Sequence, residues 1–159
     1  PFLCGYDGYA VFMDSDMLCL TDITKIPRSD DPVSVVKNAL RFEWPSLMVF
    51  NCEQCKVLTP EFIDSEATAP QSLDWASSIG SLPTEWNHLV GYDKPQDAKI
   101  VHFTQGIPCF PEVSGCEYTQ EWMREAITVT SAVPWETLMG NSVHAEPVKE
   151  RMRNGLKVC

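Results

Sequence analysis

Basic residues are scarce in this sequence: 12 Lys and Arg stand against 22 Asp and Glu, a formal charge of −10. That balance argues against a general nucleic-acid binder, which carries a basic footprint. The one basic cluster, Lys149, Arg151, Arg153 and Lys157, reads as the solvated face of a last helix. No apolar run is long enough to span a bilayer, and no signal peptide is visible. There is no Asn-x-Ser/Thr acceptor, internal repeat, low-complexity tract or long linker. The 7 cysteines are an odd number with no small-scaffold spacing. Cysteine usage and the missing acceptor together point to a reducing, cytoplasmic compartment. What is present is ordinary for a globular protein: 159 residues, 44% hydrophobic and 21% charged. That is one domain's worth, with enough apolar surface for a core. The chain opens at Pro1 straight into core-like sequence, so it is expected to be a fragment.

The pattern is strands alternating with irregular and helical segments, which predicts an α/β layer structure. Strands are expected at residues 9–13, 33–37, 45–51 and 98–103. Between them, residues 18–26 read as loop with one helical turn. Thr59-Pro60-Glu61 is a helix start: a cap, a proline in the first turn, then an acid at the positive end of the dipole. Residues 69–97 read as irregular, with short helical pieces at most. The best helix spans residues 117–129, with Trp122, Ala126 and Val129 inward and Glu121 and Glu125 outward. A last helix is expected near Pro147.

The chemistry concentrates at Val11-Phe12-Met13-Asp14-Ser15-Asp16. The apolar run reads as a central strand of a parallel sheet, covered on both faces. Two carboxylates one residue apart would then sit in the crevice where such sheets bind ligands. Neighbouring carboxylates repel and are relieved by a cation between them. A divalent metal is therefore the first expectation and a phosphate-bearing ligand the second. A solvated acidic turn fits the same spacing.

Asp14-Ser15-Asp16, followed by Leu20-Thr21-Asp22-Ile23, resembles the DxD region of GT-A fold glycosyltransferases, family 8 in particular. Ser46-Leu47-Met48-Val49-Phe50-Asn51 is similar to the strand that reaches the sugar site in that family, and residues 99–106, Lys99 to Gly106, to its late histidine motif. The resemblance covers residues 8–110. It implies the C-terminal part of a GT-A, Rossmann-like domain with a mixed sheet and flanking helices, spanning 1–159. It also implies transfer of a hexose, with retention, from a nucleoside-diphosphate sugar, foremost a UDP-sugar, to a sugar, protein or lipid-linked acceptor.

By position, Asp14, Asp16 and His102 would hold Mn2+ or Mg2+, with Asp14 also at the ribose and Asn51 at the donor sugar or acceptor. One imidazole among hard oxygens suits Mn2+ better than Ca2+. Gly106 would let backbone N–H groups approach phosphate. The stretch from Gly106 to Phe110 lacks the Lys that the family keeps there. Asp74 stands where the family has an acid near the sugar, and a surface turn fits it equally. Trp86 reads as packing. Cys52-Glu53-Gln54-Cys55 is half a zinc pattern without its other half, so these thiols are expected to be free and reduced. His88 and His144 carry no motif. Two alternatives to the transferase stand beside it. One is a haloacid-dehalogenase-like phosphatase, with Asp14 as nucleophile and Asp16 as acid/base. The other is a non-catalytic metal-binding or interaction remnant.

Overall fold

Four consecutive apolar residues, Leu47, Met48, Val49 and Phe50, are all buried, and they form the strand around which the first sheet is built. Alternate side chains of a strand point to opposite faces. Met48 and Phe50 accordingly join Val33, Val35, Cys52, Cys55, Leu58 and Leu73 on one side. Leu47 and Val49 join Ile26, Val36, Leu82, Trp86 and Ile100 on the other. Burying side chains of this size stabilises by about 1.5–3 kcal/mol each.

The computed structural model describes residues 1–65, 70–143, 145, 146 and 150. The chain divides into two compact units, Pro1–His88 with Pro95–His102 and Leu89–Lys94 with Phe103–Cys159. Its architecture is mixed α/β. In chain order the strands are β1 (Tyr9–Met13), β2 (Met17–Cys19), β3 (Val33–Val35), β4 (Leu47–Asn51), β5 (Ile79–Ser81), β6 (His88–Leu89) and β7 (Ile100–His102). One sheet has the order β1-β4-β3-β5 and the other β2-β7-β6. In the first, β1 and β3 both run antiparallel to β4, and β3 runs parallel to β5. In the second, β2 runs antiparallel to β7.

The strand expected at the centre of a parallel sheet is therefore an edge strand in antiparallel pairing. Val11 and Phe12 are 40% and 42% exposed. A five-residue apolar run fits a half-open edge as well as a covered centre, and the doubly covered strand is β4. β4 begins at Leu47 because the six residues before it, Arg41–Ser46, wind into a 3-10 helix with Pro45 inside. β2 and β5 occupy stretches expected to be loop or irregular.

The helix start at Thr59 is as expected. Its hydroxyl accepts from the Phe62 N–H at 3.2 Å and caps α1 (Pro60–Ile63). In the second unit, α2 (Thr119–Ala132) stands where a helix is expected, two residues later at its start and three longer at its end. None of its residues is fully buried, and Val129, expected inward, is 45% exposed. A short α3 follows (Trp135–Met139). The helix expected near Pro147 and the basic cluster, Lys149 to Lys157, lie outside the described residues. No helix among the described residues is long and apolar enough to cross a membrane.

Candidate metal centre

Asp14, Ser15 and Asp16 are the link by which the chain leaves β1 in one sheet and enters β2 in the other. Two pairings fix that link. At the β1 end, Met13 lies opposite Leu47, and the Asp14 N–H donates to the Ser46 carbonyl at 2.9 Å. At the β2 end, Met17 lies opposite His102. Two acids from one end of the sequence thereby meet an imidazole from 86 positions further along. One ligand atom from each of Asp14, Asp16 and His102 lies within 4.8 Å of the others. His102 Nε2 is 3.4 Å from Asp16 Oδ1.

Those spacings suit a small divalent ion. Ligands about 2.1 Å from an octahedral ion lie about 3 Å apart when adjacent and about 4.2 Å when opposite. The His102–Asp16 pair, at 3.4 Å, is already close to the adjacent spacing. His102 is 3% exposed, so its imidazole is held in place, while the Asp16 side chain is 39% exposed and leaves the centre open to a ligand.

The electrostatics favour a cation. Burial holds the Asp14 carboxyl above its ordinary range, the neighbouring Asp16 adds to the rise, and the His102 imidazole opposes it. A third acid, Glu43, stands behind the imidazole, with Oε2 3.7 Å from His102 Nδ1. Burial raises its carboxyl too. His102 opposes that rise, while Asp16 and Asp14 add to it. Among the described residues no Lys or Arg bridges these three acids. Three carboxylates converging on one imidazole are stabilised by a bound positive charge. Glu43 was not singled out from the sequence. It carries no motif, and only the β1–β4 register, which brings the segment before β4 alongside the Asp14 link, puts it here.

The other expected site residues lie elsewhere. Asn51 is opposite Tyr9, at the far end of the β1–β4 pair, about 16 Å along the strands from Asp14 at about 3.3 Å per residue. It does not join the centre: its N–H donates to Pro32 and its carbonyl accepts from the Cys55 thiol. Gly106 belongs to the second unit. There, with a φ of 117°, it lines a cavity of about 280 Å3 together with Val90, Phe103, Gln105 and Glu117. Asp74 is an exposed turn residue whose N–H meets Ser72 Oγ at 3.3 Å. Trp86 is core, 1% exposed, with the Lys99 ammonium 5.0 Å from its ring centre.

Cys52 and Cys55 are buried thiols. Cys55 Sγ donates to the Pro32 and Asn51 carbonyls at 3.1 and 3.2 Å, and burial pushes its pKa up to about 11. That is the chemistry of a packed thiol rather than of a zinc ligand, which must be a thiolate. His88 is fully buried, with Nδ1 3.2 Å from Gln96 Nε2. His144 lies outside the described residues.

The chain is 29% identical to Protein CDI of Arabidopsis thaliana over an alignment of 156 residues, covering 79% of this chain and 60% of that protein. No protein-family model matches the chain. No solved structure matches it either. These findings correct the expected kinship with family 8 glycosyltransferases of the GT-A fold. The curated protein that the chain resembles does not carry a glycosyltransferase name, and no glycosyltransferase family accounts for the sequence. The likeness rested on three short stretches, and short apolar strands ending in polar residues recur across unrelated α/β proteins.

Proposed function

We propose that Asp14, Asp16 and His102 hold one divalent cation, Mn2+ or Mg2+, and that this cation takes the diphosphate of a nucleoside-diphosphate sugar, foremost a UDP-sugar, for transfer of the hexose to an acceptor. The observation that carries the reading is the convergence of these three ligand atoms within 4.8 Å. Two carboxylates and one imidazole form a mixed oxygen and nitrogen set suited to Mn2+ or Mg2+ rather than to the softer metals that thiolates select. Such a site leaves coordination positions for phosphate oxygens. The bound ion supplies Lewis-acid neutralisation of the charge that develops on a departing diphosphate. The chain's own part is to hold the three donors at the junction of two sheets, with the imidazole neutral and its lone pair available. The acceptor is a sugar, a protein or a lipid-linked molecule.

Phosphatase chemistry, with Asp14 as nucleophile, fits less well. The imidazole beside Asp16 completes a ligand set for a cation, and it gives the Asp14 carboxylate no added nucleophilicity. The test is calorimetric titration of UDP into the protein with and without Mn2+. Binding is expected only when Mn2+ is present, and it should be lost in His102→Ala. UDP that binds equally well without the cation, or not at all with it, contradicts the reading.

A further inference from the structure

We propose that Glu43 is the positioning residue of this centre: its carboxylate accepts the Nδ1 proton of His102, which leaves the Nε2 lone pair facing the cation. The inference rests on the metal reading above and goes beyond it to a residue outside the ligand set. The two ring nitrogens of His102 face different acids, Nε2 towards Asp16 at 3.4 Å and Nδ1 towards Glu43 at 3.7 Å. Nδ1 is buried and has no hydrogen-bond partner among the described residues.

A neutral imidazole carries one N–H and one lone pair. With the proton on Nε2, the partly exposed Asp16 would accept it, but the buried Nδ1 lone pair would face the Glu43 carboxylate with no donor between them. With the proton on Nδ1, the nearby carboxylate meets it, and Nε2 is left as the ligand. The 3.7 Å separation exceeds a hydrogen bond by about 0.7 Å. A side-chain movement of that size would close the gap.

The backbone itself is pinned. The Glu43 N–H donates to Leu40 O at 2.8 Å, and its carbonyl accepts from Ser46 Oγ at 2.5 Å. Ser46 Oγ in turn accepts from Nδ2 of the fully buried Asn87 at 2.9 Å. Asn87, Ser46 and Glu43 thus form a chain of hydrogen bonds that ends at the Glu43 backbone carbonyl and fixes the point from which its side chain reaches towards the imidazole. A carboxylate behind a metal-bound histidine fixes its tautomer and raises its basicity, and loss of such a partner costs about 10–100-fold in metal affinity.

The tautomer is read by 15N NMR of the His102 ring in the metal-free protein at about pH 8, where an ordinary histidine is neutral. Mn2+ affinity is measured alongside. The Nδ1–H form is expected in the wild type. In Glu43→Leu the Nε2–H form should dominate, and Mn2+ affinity should fall about 10–100-fold. In Glu43→Gln, whose amide oxygen accepts the same proton, affinity should stay within a few-fold of wild type. An Nε2–H wild type overturns the inference, and this readout needs no variant to fold. So does a Glu43→Leu protein with unchanged tautomer and affinity. Absence of Mn2+ binding in the wild type would overturn the cation reading instead, so the two failures are read apart.

Discussion

The Asp14 N–H donates to the Ser46 carbonyl at 2.9 Å, and through that bond the acidic link between β1 and β2 is fastened to the segment that carries Glu43. The bond sets the Asp14 backbone, and burial together with Asp16 makes charging its side chain costly. A carboxyl whose pKa is raised on folding contributes stability below its ordinary value of 3.8, and that stability is lost as pH rises through the folded value. At neutral pH the ionised Asp14 is therefore a liability in the metal-free protein. Asp14→Asn should stabilise that form by about 0.5–1 kcal/mol, small because the group is partly open to water. The same change should abolish the rise in melting temperature that Mn2+ gives the wild type. Urea denaturation without metal and melting curves with it check the two halves. A destabilised Asp14→Asn protein that still responds to Mn2+ would contradict both.

Gly80 lies where no side chain fits. A Cβ there would meet Asp31 Oδ2 at 2.7 Å and would also collide with Ser34 Oγ. Those atoms are not free to retreat. Ser29 Oγ lies 2.8 Å from Ser34 Oγ and accepts from the Asp31 N–H at 3.1 Å, and Ser78 Oγ donates to Asp31 Oδ1 at 2.6 Å. Gly80→Ala should cost about 1–3 kcal/mol through the overpacking that results. A denaturation midpoint equal to wild type would show that the serine network gives way freely.

Burial pushes the Cys55 thiol up to about 11, and Cys52 beside it adds to the rise. The sign follows directly: a folded pKa above the ordinary 9.0 means that the folded state holds its proton longer than the unfolded chain. Stability is full below pH 9 and falls between pH 9 and 11, at a limiting slope of about 1.4 kcal/mol per pH unit for one group. Cys55→Ala should flatten that slope. Denaturation midpoints at about pH 8 and pH 10.5, wild type against variant, measure it. Equal slopes would place the alkaline sensitivity elsewhere.

Much of this centre is legible in the sequence. An apolar run that breaks into Asp14-Ser15-Asp16, and a second that ends at His102, each put ligand groups at a strand end, and the structure brings them together. What the sequence does not carry is the sheet around them. A run of five apolar residues does not distinguish the edge strand β1 from the covered strand β4. β2, β5 and β6, at two or three residues each, are too short for an alternating pattern to register. Asn51 and Gly106 were drawn towards the site by a family likeness that the comparisons do not support. Glu43 could not have been found without the β1–β4 register, because pairing, rather than spacing, sets it behind the imidazole.

The most direct test of the central claim is calorimetric titration of Mn2+ into the protein and into its Asp16→Ala and His102→Ala variants. One ion should bind per wild-type chain, and each variant should weaken binding by about tenfold or more. Unaltered binding in both variants, or no binding to the wild type, would contradict the claim that Asp14, Asp16 and His102 share a cation.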